Sequence, residues 1–425
     1  MPRVSKTSAK GQPLPVATPA QLTIPLDDGT VMLSLIQALI PLGLKAVENA
    51  LAQEVTALAG VRYAHDDGHP AIARWGHQPG SIYLADQKVP IQVPRVRDHV
   101  AGHEVPLATY DAFQTPRTLD IGLFRRVLGG LSCRAYEAAA ETVPEAFGLA
   151  RSSVSRRFIR ASARTLEALQ QRRLDDREWL VLFLDGKSFA RDQLVIALGI
   201  TRTGEKRILG LVQTASENKR VCTAFLHELV ARGFVPAHGL LVVLDGAKGL
   251  RAAVRDVFGD AVPVQRCQWH KRENVLSYLP KRDHPHWRRK LQAAYATPDY
   301  GDAKRALDKL GRELTKINVS AARSLEEGLE ETLTLHRLGV FEQLGLSFKT
   351  TNLIETVMAR VDATTLRVDR WRTSDQKLRW CAAALLAVEP RLRRVKGKEY
   401  LPLLERALAT NITTPGVRIV VARPQ

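Results

Sequence analysis

Trp179-Leu180-Val181-Leu182-Phe183-Leu184-Asp185-Gly186 and Leu240-Leu241-Val242-Val243-Leu244-Asp245-Gly246 repeat one pattern, an apolar run closed by Asp-Gly. Short Val/Leu-rich runs stopped by turn residues read as strands buried on both faces. Each Asp is then expected where its strand leaves the sheet. Two such strands side by side set two carboxylates at one sheet edge, where open α/β sheets bind ligands. Taken singly, Leu-Asp-Gly is also an ordinary strand ending, because Asp and Gly both favour turns.

The neighbouring segments extend the pattern. Gln193–Ile200 and Arg207–Gln213 read as strands joined by the turn Thr203-Gly204-Glu205. Lys219–Arg232 reads as a helix ended by Gly233, Lys248–Phe258 as another, and Val262–Gln265 as a short strand. The order β-β-β-α-β-α-β is a three-stranded meander followed by α/β units, and it makes the first and fourth strands neighbours. No strand is evident from Gln268 to about Gly345. His286–Ala296, Asp302–Ile317 and Ser320–Leu335 have helical spacing there and read as an inserted helical subdomain. Helix resumes near Asn352–Val361 and again at Gln376–Leu386.

Towards the N-terminus, residues 1–25 are expected to be a flexible tail, and Val31–Leu58 a helix bent at Pro41. His65-Asp66-Asp67-Gly68-His69, with His77, reads either as a metal cluster or as a solvated loop. Ile82–Leu84 and Val89–Val96 read as a hairpin around Ala85-Asp86-Gln87-Lys88, with Pro90 and Pro94 confining its second strand to an edge. Thr118 to about Arg173 is helical in pattern. Ser132 is a candidate cap, Gly148 a break, and Ser152 or Ser153 the next cap, which outlines a helix-turn-helix. Arg156, Arg160 and Arg164 fall on one stripe of its second helix, next to Arg157. That stripe suits a helix lying against DNA. It equally suits a basic solvent face. Five basic residues in Arg391–Lys398 form either a solvated tail or a patch contacting a nucleic-acid backbone.

The bulk numbers narrow the partner. The chain has 425 residues, enough for two to four domains, and 45% hydrophobic residues, which excludes a disordered chain. Its net charge is +18 and its pI about 10.0, which suits a polyanion. The longest uncharged apolar run, Gly29 to Leu44, contains Pro41 and is too short to span a bilayer. The N-terminus lacks the apolar stretch of a secretory signal. Four scattered cysteines suit a reducing compartment. The expected partner is therefore nucleic acid, the expected place cytoplasmic and nucleoid-associated, with no membrane.

A third carboxylate, Glu355, lies in Thr350-Thr351-Asn352-Leu353-Ile354-Glu355-Thr356-Val357. Three carboxylates without clustered His or Cys select hard cations such as Mg2+ or Mn2+. Two such ions about 4 Å apart suit attack on a phosphodiester. Cys267-x-x-His270 has the spacing of half a zinc site, for which His284 and His286, at an unusual spacing, are the only nearby candidates as further ligands. The other reading is a buried Cys ending a strand and an exposed His. Trp269 suits either stacking on an unpaired base or the core.

Asp185-Gly186, Asp245-Gly246, Gln265-Arg266-Cys267-Gln268-Trp269-His270-Lys271 and Thr351-Asn352-Leu353-Ile354-Glu355 together resemble the bacterial mutator-type insertion-sequence transposases. Those are DDE enzymes with a ribonuclease-H-like core. Arg370-Trp371-Arg372, Leu378-Arg379-Trp380, Gln87-Lys88-Val89 and Val93-Pro94-Arg95-Val96-Arg97 look like the same family, so the likeness runs from about residue 80 to 395. Asp245 follows Asp185 by 60 residues and Glu355 follows Asp245 by 110, which matches the helical insertion that the family places before its Glu.

The resemblance implies that Asp185, Asp245 and Glu355 are the catalytic, metal-binding triad for two Mg2+ (or Mn2+) ions per active site. It implies that Cys267 and His270 are the family's signature near that site. Lys271, Arg272 and Arg379 are expected to join Arg156, Arg157, Arg160 and Arg164 as DNA contacts.

The implied division is a 1–25 tail and a 26–116 region with helix and hairpin, followed by a helical DNA-binding domain at 117–176. A ribonuclease-H-like core follows at 177–279 and 346–390, split by a helical insertion at 280–345, with a basic tail at 391–425. The implied function is a transposase. It binds terminal inverted repeats, hydrolyses strands at the element's ends and joins the 3′-OH to double-stranded target DNA, as a homodimer or higher assembly. The alternatives are a catalytically inert DNA-binding regulator and a ribonuclease-H-like nuclease without strand transfer.

Overall fold

A computed structural model describes residues 29–63, 71–84, 87–114, 117–134, 136, 150–214, 218–368 and 370–412. The His65–His69 cluster and Gly148 lie outside them, as does any helix that Ser132 would cap. The chain divides into two compact units, residues 1–116 with 139–148, and residues 117–138 with 149–425.

In the first unit, α1 (Gly29–Ala59) packs on a three-stranded antiparallel sheet of β1 (Ile72–Leu84), β2 (Gln87–Asp98) and β3 (Glu104–Val105). Val47, Leu51 and Val55 recur at helical spacing and meet Ile82, Val89, Ile91 and Val93 in the core. The Glu54 carboxylate accepts from Ala108 N at 2.7 Å and Thr109 N at 3.0 Å, capping the short α2 (Ala108–Ala112). The hairpin is longer than expected. β1 begins at Ile72, ten residues before Ile82, because the polar stretch Arg74–Ser81 pairs with β2 through main-chain bonds that need no apolar alternation. β2 is central rather than an edge strand. Its prolines are tolerated because β3 pairs only with Val96 and Arg97, beyond Pro90 and Pro94.

The second unit is built on a five-stranded mixed sheet. β4 (Trp179–Phe189), β5 (Asp192–Thr201) and β6 (Lys206–Thr214) form the antiparallel meander. β7 (Leu241–Leu244) lies parallel to β4, and β8 (Val264–Arg266) parallel to β7, giving the order β6-β5-β4-β7-β8. β4 alternates between two buried layers. Leu182 and Leu184 point towards α5 (Lys219–Ala231) and α6 (Lys248–Phe258), among Phe225, Leu226, Leu250 and Val254. Val181 and Phe183 point to the opposite layer, among residues of the later helices.

That opposite layer holds α4 (Arg151–Gln170) and α13 (Phe341–Phe348). Beside them lie α14 (Asn352–Thr365), α15 (Ser374–Val388) and α16 (Leu401–Ile412). α4 also joins α3 (Arg117–Leu128) through stacked Phe124 and Phe158, ring centres 5.6 Å apart, and Phe158 lies 4.5 Å from Trp380 of α15. The helix begins with Ala150 at its cap position and no side-chain cap, so neither Ser152 nor Ser153 plays the expected part. α16 is a further departure. Leu401, Leu404 and Leu408 recur at helical spacing and are buried in the core, so the basic segment from Arg391 leads into a docked helix and not a free tail.

Between β8 and α13 the chain forms α7 (Gln268–Ser277), α8 (His284–Ala296) and α9 (Tyr300–Thr315), with α10 (Val319–Glu326), α11 (Leu329–Thr332) and α12 (Thr334–Arg337) after them. They have their own core, including Val275, Trp287, Leu291, Leu307 and Leu325. The single helix expected over Ser320–Leu335 is three short ones. Gly328, at φ +65°, interrupts it, and the Arg266 guanidinium packs where a Cβ would stand.

Candidate active site

Asp185 and Asp245 meet through strand register. The parallel pairing of β4 with β7 runs Val181 to Leu241 through Leu184 to Leu244, so the two Asp residues are the next in step. Asp185 does not end its strand as expected. β4 continues to Phe189, still paired with β5, while only its pairing with β7 stops. Asp245 does leave its strand, and its Oδ1 accepts from Ala247 N at 3.1 Å. The turn needs Gly246, which has φ +103° and would drive a Cβ into Arg266 Nε.

Glu355 arrives from the far side of the insertion, in the first turn of α14. Its return is fixed by bonds to the segment that leaves β8. Gln268 N donates to Lys349 O at 3.0 Å, and Thr351 N lies 3.5 Å from the Cys267 Sγ that accepts from it. Gln265 closes the insertion. Its Nε2 donates to Thr332 O at 2.9 Å, and its Oε1 accepts from Leu335 N at 3.0 Å. Thr351 Oγ1 also stands 3.7 Å from Cys267 Sγ and 3.5 Å from His270 Nδ1. His270 Nε2 in turn lies 3.6 Å from Glu355 Oε1.

The charges are unevenly matched. Asp185 is 1% exposed, and among the described residues neither carboxylate oxygen has a hydrogen-bond donor. Lys187 Nζ approaches its Oδ2 at 3.1 Å, in ion-pair contact but outside hydrogen-bond geometry, and stands 3.6 Å from Glu355 Oε1. Burial pushes the Asp185 carboxyl up to about 7; Lys187 opposes the rise, while Asp245 and Glu355 add to it. Burial lowers the His270 pKa, against the pull of Asp245 and Glu355. It raises the Cys267 thiol.

Lys187 is the charged neighbour of Asp185 and Glu355 that sequence reasoning missed. Its signal was available, since positions 185 and 187 share a face of one strand. Among the described residues, no three His, Cys, Asp or Glu side chains are close enough together to hold one metal ion. The donor set nevertheless suits a hard cation, because it consists of carboxylates and includes two buried oxygens without a donor.

A family model described as "Transposase, Mutator family" matches residues 34–372. The chain belongs to the Mutator family of transposases. It is 27% identical over 285 residues to the transposase for insertion sequence element IS256 in transposon Tn4001 of Staphylococcus aureus, covering 64% of this chain and 69% of that one. It is 26% identical over 368 residues to the transposase for IS406 of Burkholderia multivorans, covering 84% and 91%. It is 27% identical over 383 residues to the transposase for ISRM5 of Rhizobium meliloti, covering 85% and 91%.

Within this Mutator-family chain, the other expected site residues fall into separate groups. Arg156, Arg160 and Arg164 are exposed along α4 and pair with no carboxylate among the described residues. Arg156, Arg157 and Arg160 line an open cavity of about 500 Å3 with Ser153 and Ile159. Arg272 is mostly buried and bonded to Glu273 Oε1 at 3.0 Å.

Two expected DNA contacts are corrected. Lys271 is buried, with its ammonium given to the carbonyls of Ser324 and Glu327. Arg379 is buried between α4 and α15, where it donates to Ser162 Oγ and Asp375 Oδ2, each at 2.8 Å. Both cations satisfy internal acceptors and offer nothing to solvent.

The zinc reading also fails. Among the described residues no three His, Cys, Asp or Glu side chains gather around Cys267; its Sγ accepts from Thr351 N, and the half-buried His284 has its Nε2 3.0 Å from Leu279 O. Trp269 is exposed, edge-on to His270. Among the described residues, no helix is long and apolar enough to cross a membrane.

Proposed function

We propose that the chain is a DDE transposase with a ribonuclease-H-like catalytic core. In this reading it binds double-stranded DNA at the terminal inverted repeats of an insertion sequence, hydrolyses strands at the ends and joins the freed 3′-OH to target DNA. The observation that carries it is the in-step pair Asp185 and Asp245 with Glu355 brought alongside, next to buried carboxylate oxygens that lack a donor. Asp185, Asp245 and Glu355 would hold Mg2+ or Mn2+. A pair of such ions supplies positive charge at the attacking and leaving oxygens of a phosphodiester.

The chain's own residues prepare that site. Asp185 and Asp245 are set by rigid strands. Glu355 is oriented by His270, and His270 by Thr351 and Cys267. The layers above and below β4 exclude water from the Asp185 side. The Arg156, Arg160 and Arg164 stripe offers unpaired cations to backbone phosphates. Joining two element ends requires at least a dimer during reaction.

One observation favours the inert-regulator reading instead: the Lys187 ammonium stands between carboxylates where a cation would be held. Strand nicking on a terminal-repeat duplex decides between the two. The transposase reading expects Mg2+-dependent nicking that Asp185→Asn and Glu355→Gln each abolish while leaving duplex binding intact. Wild-type protein that binds the duplex and never nicks it refutes the reading, as does undiminished nicking in either variant.

A further inference from the structure

The face of α14 next to Glu355 opens on a basic cavity that the catalytic reading does not use. It has a volume of about 340 Å3 and is lined by Lys206, Asn352, Thr356, Arg360, Arg393 and Lys396, above the partly buried Leu353 and Leu392. Arg394 joins the same wall and is paired with Glu205 Oε1 at 3.0 Å. Among the described residues, no carboxylate pairs with Lys206, Arg360, Arg393 or Lys396. Four uncompensated cations around one concavity repel one another, and only an external anion relieves them. Lys206 feels this most. It is half-buried, and burial together with the Arg360 charge lowers its pKa.

The wall is fixed in place. Leu392 N donates to Glu389 O at 3.0 Å and Val395 N to Gly204 O at 2.9 Å. Ser347 Oγ donates to Lys396 O at 2.8 Å, and Val395 itself is buried. Asn352, Thr356 and Arg360 follow one another at intervals of four along one side of α14. They span about 12 Å, close to the rise of three or four nucleotides of one DNA strand. Asn352 and Thr356 flank Glu355 on the helix, so the line starts beside the catalytic carboxylates.

We infer that this groove is a phosphodiester track that holds the backbone of a DNA strand running away from Glu355. The inference rests on the transposase reading and adds to it the surface that carries the strand beyond the reacting phosphate. The cations contact backbone oxygens and not base edges, so the track is indifferent to sequence.

The test is fluorescence anisotropy of a labelled terminal-repeat duplex and a random duplex, measured across a salt series without divalent ions. The variant carries Lys206→Gln, Arg360→Gln, Arg393→Gln and Lys396→Gln. The control removes four exposed cations of the helical insertion: Arg289→Gln, Lys309→Gln, Arg312→Gln and Lys316→Gln. The track expects weaker binding of both duplexes and a log K against log salt slope shallower by about 0.9 for each phosphate that is no longer neutralised. The control should keep the wild-type slope.

If the fourfold variant does not fold, Arg393→Gln with Lys396→Gln carries the test, because both side chains are exposed. An unchanged slope in the folded variant overturns the track, and so does an equal change in the control. Wild-type protein that binds neither duplex overturns the transposase reading first, which distinguishes the two failures.

Discussion

Asp185→Asn should stabilise the metal-free protein at alkaline pH while abolishing nicking. Burial holds the Asp185 carboxyl at about 7 against an ordinary 3.8, with the carboxylates of Asp245 and Glu355 adding to the rise. Because its folded pKa is raised, the native state binds the proton more tightly than the unfolded chain between those values. Wild-type stability therefore falls as pH climbs from about 4 to about 7 and stays reduced above. At about 1.4 kcal/mol per pH unit, the full effect is about 4–5 kcal/mol.

The amide has no charge to desolvate and none to repel Asp245 and Glu355. Lys187 loses one of its two carboxylate neighbours, which takes back part of the gain. A net stabilisation of about 2–4 kcal/mol is expected at pH 8.5 and almost none near pH 4. Urea unfolding in EDTA at both pH values measures it, and added Mg2+ should stabilise wild type more than the variant. A variant no more stable than wild type at pH 8.5 refutes the reasoning, and so does an identical pH slope.

Two further substitutions probe the supports of the site. Gly246→Ala combines a left-handed backbone with a Cβ against Arg266 Nε, so urea unfolding should show a loss of at least about 2 kcal/mol. Thr351→Val removes the hydroxyl between Cys267 and His270. It should slow nicking on the order of 10-fold with duplex affinity unchanged, as competition anisotropy and a nicking time course would show.

The sheet was legible in the chain because its strands are short, buried on both faces and cut off by turn residues. All five strands of the mixed sheet overlap the apolar runs that point to them, though β4 continues past its run to Phe189 and β8 is displaced towards Arg266. β1 was not legible over Arg74–Ser81, since main-chain pairing leaves no trace in a polar stretch. α16 was overlooked because a run of basic residues precedes it, although Leu401, Leu404 and Leu408 carry helical spacing. Lys271 and Arg379 mark the limit of reading charge from sequence. A cation whose partners are main-chain carbonyls or a buried serine looks the same in a sequence as one facing DNA.

Glu355 depends on the most distant part of the chain, and the structure gives a physical reason for its return. The chain between β8 and α14 returns to the sheet because its two ends are held together. Here the ends are Gln265, Cys267 and Gln268 on one side, and Thr332, Leu335, Lys349 and Thr351 on the other, joined by buried hydrogen bonds. The Cys-x-x-His spacing coincides with these contacts. Cys267 ties down the residue at the start of the Glu355 helix, and His270, one helical turn later, faces the Glu355 carboxylate that the tie delivers. The same α14 presents Asn352, Thr356 and Arg360 to the basic groove. In the proposed reading one helix aligns the Glu355 carboxylate with the row of groups that would hold phosphates, and a shift of its first turn would displace both.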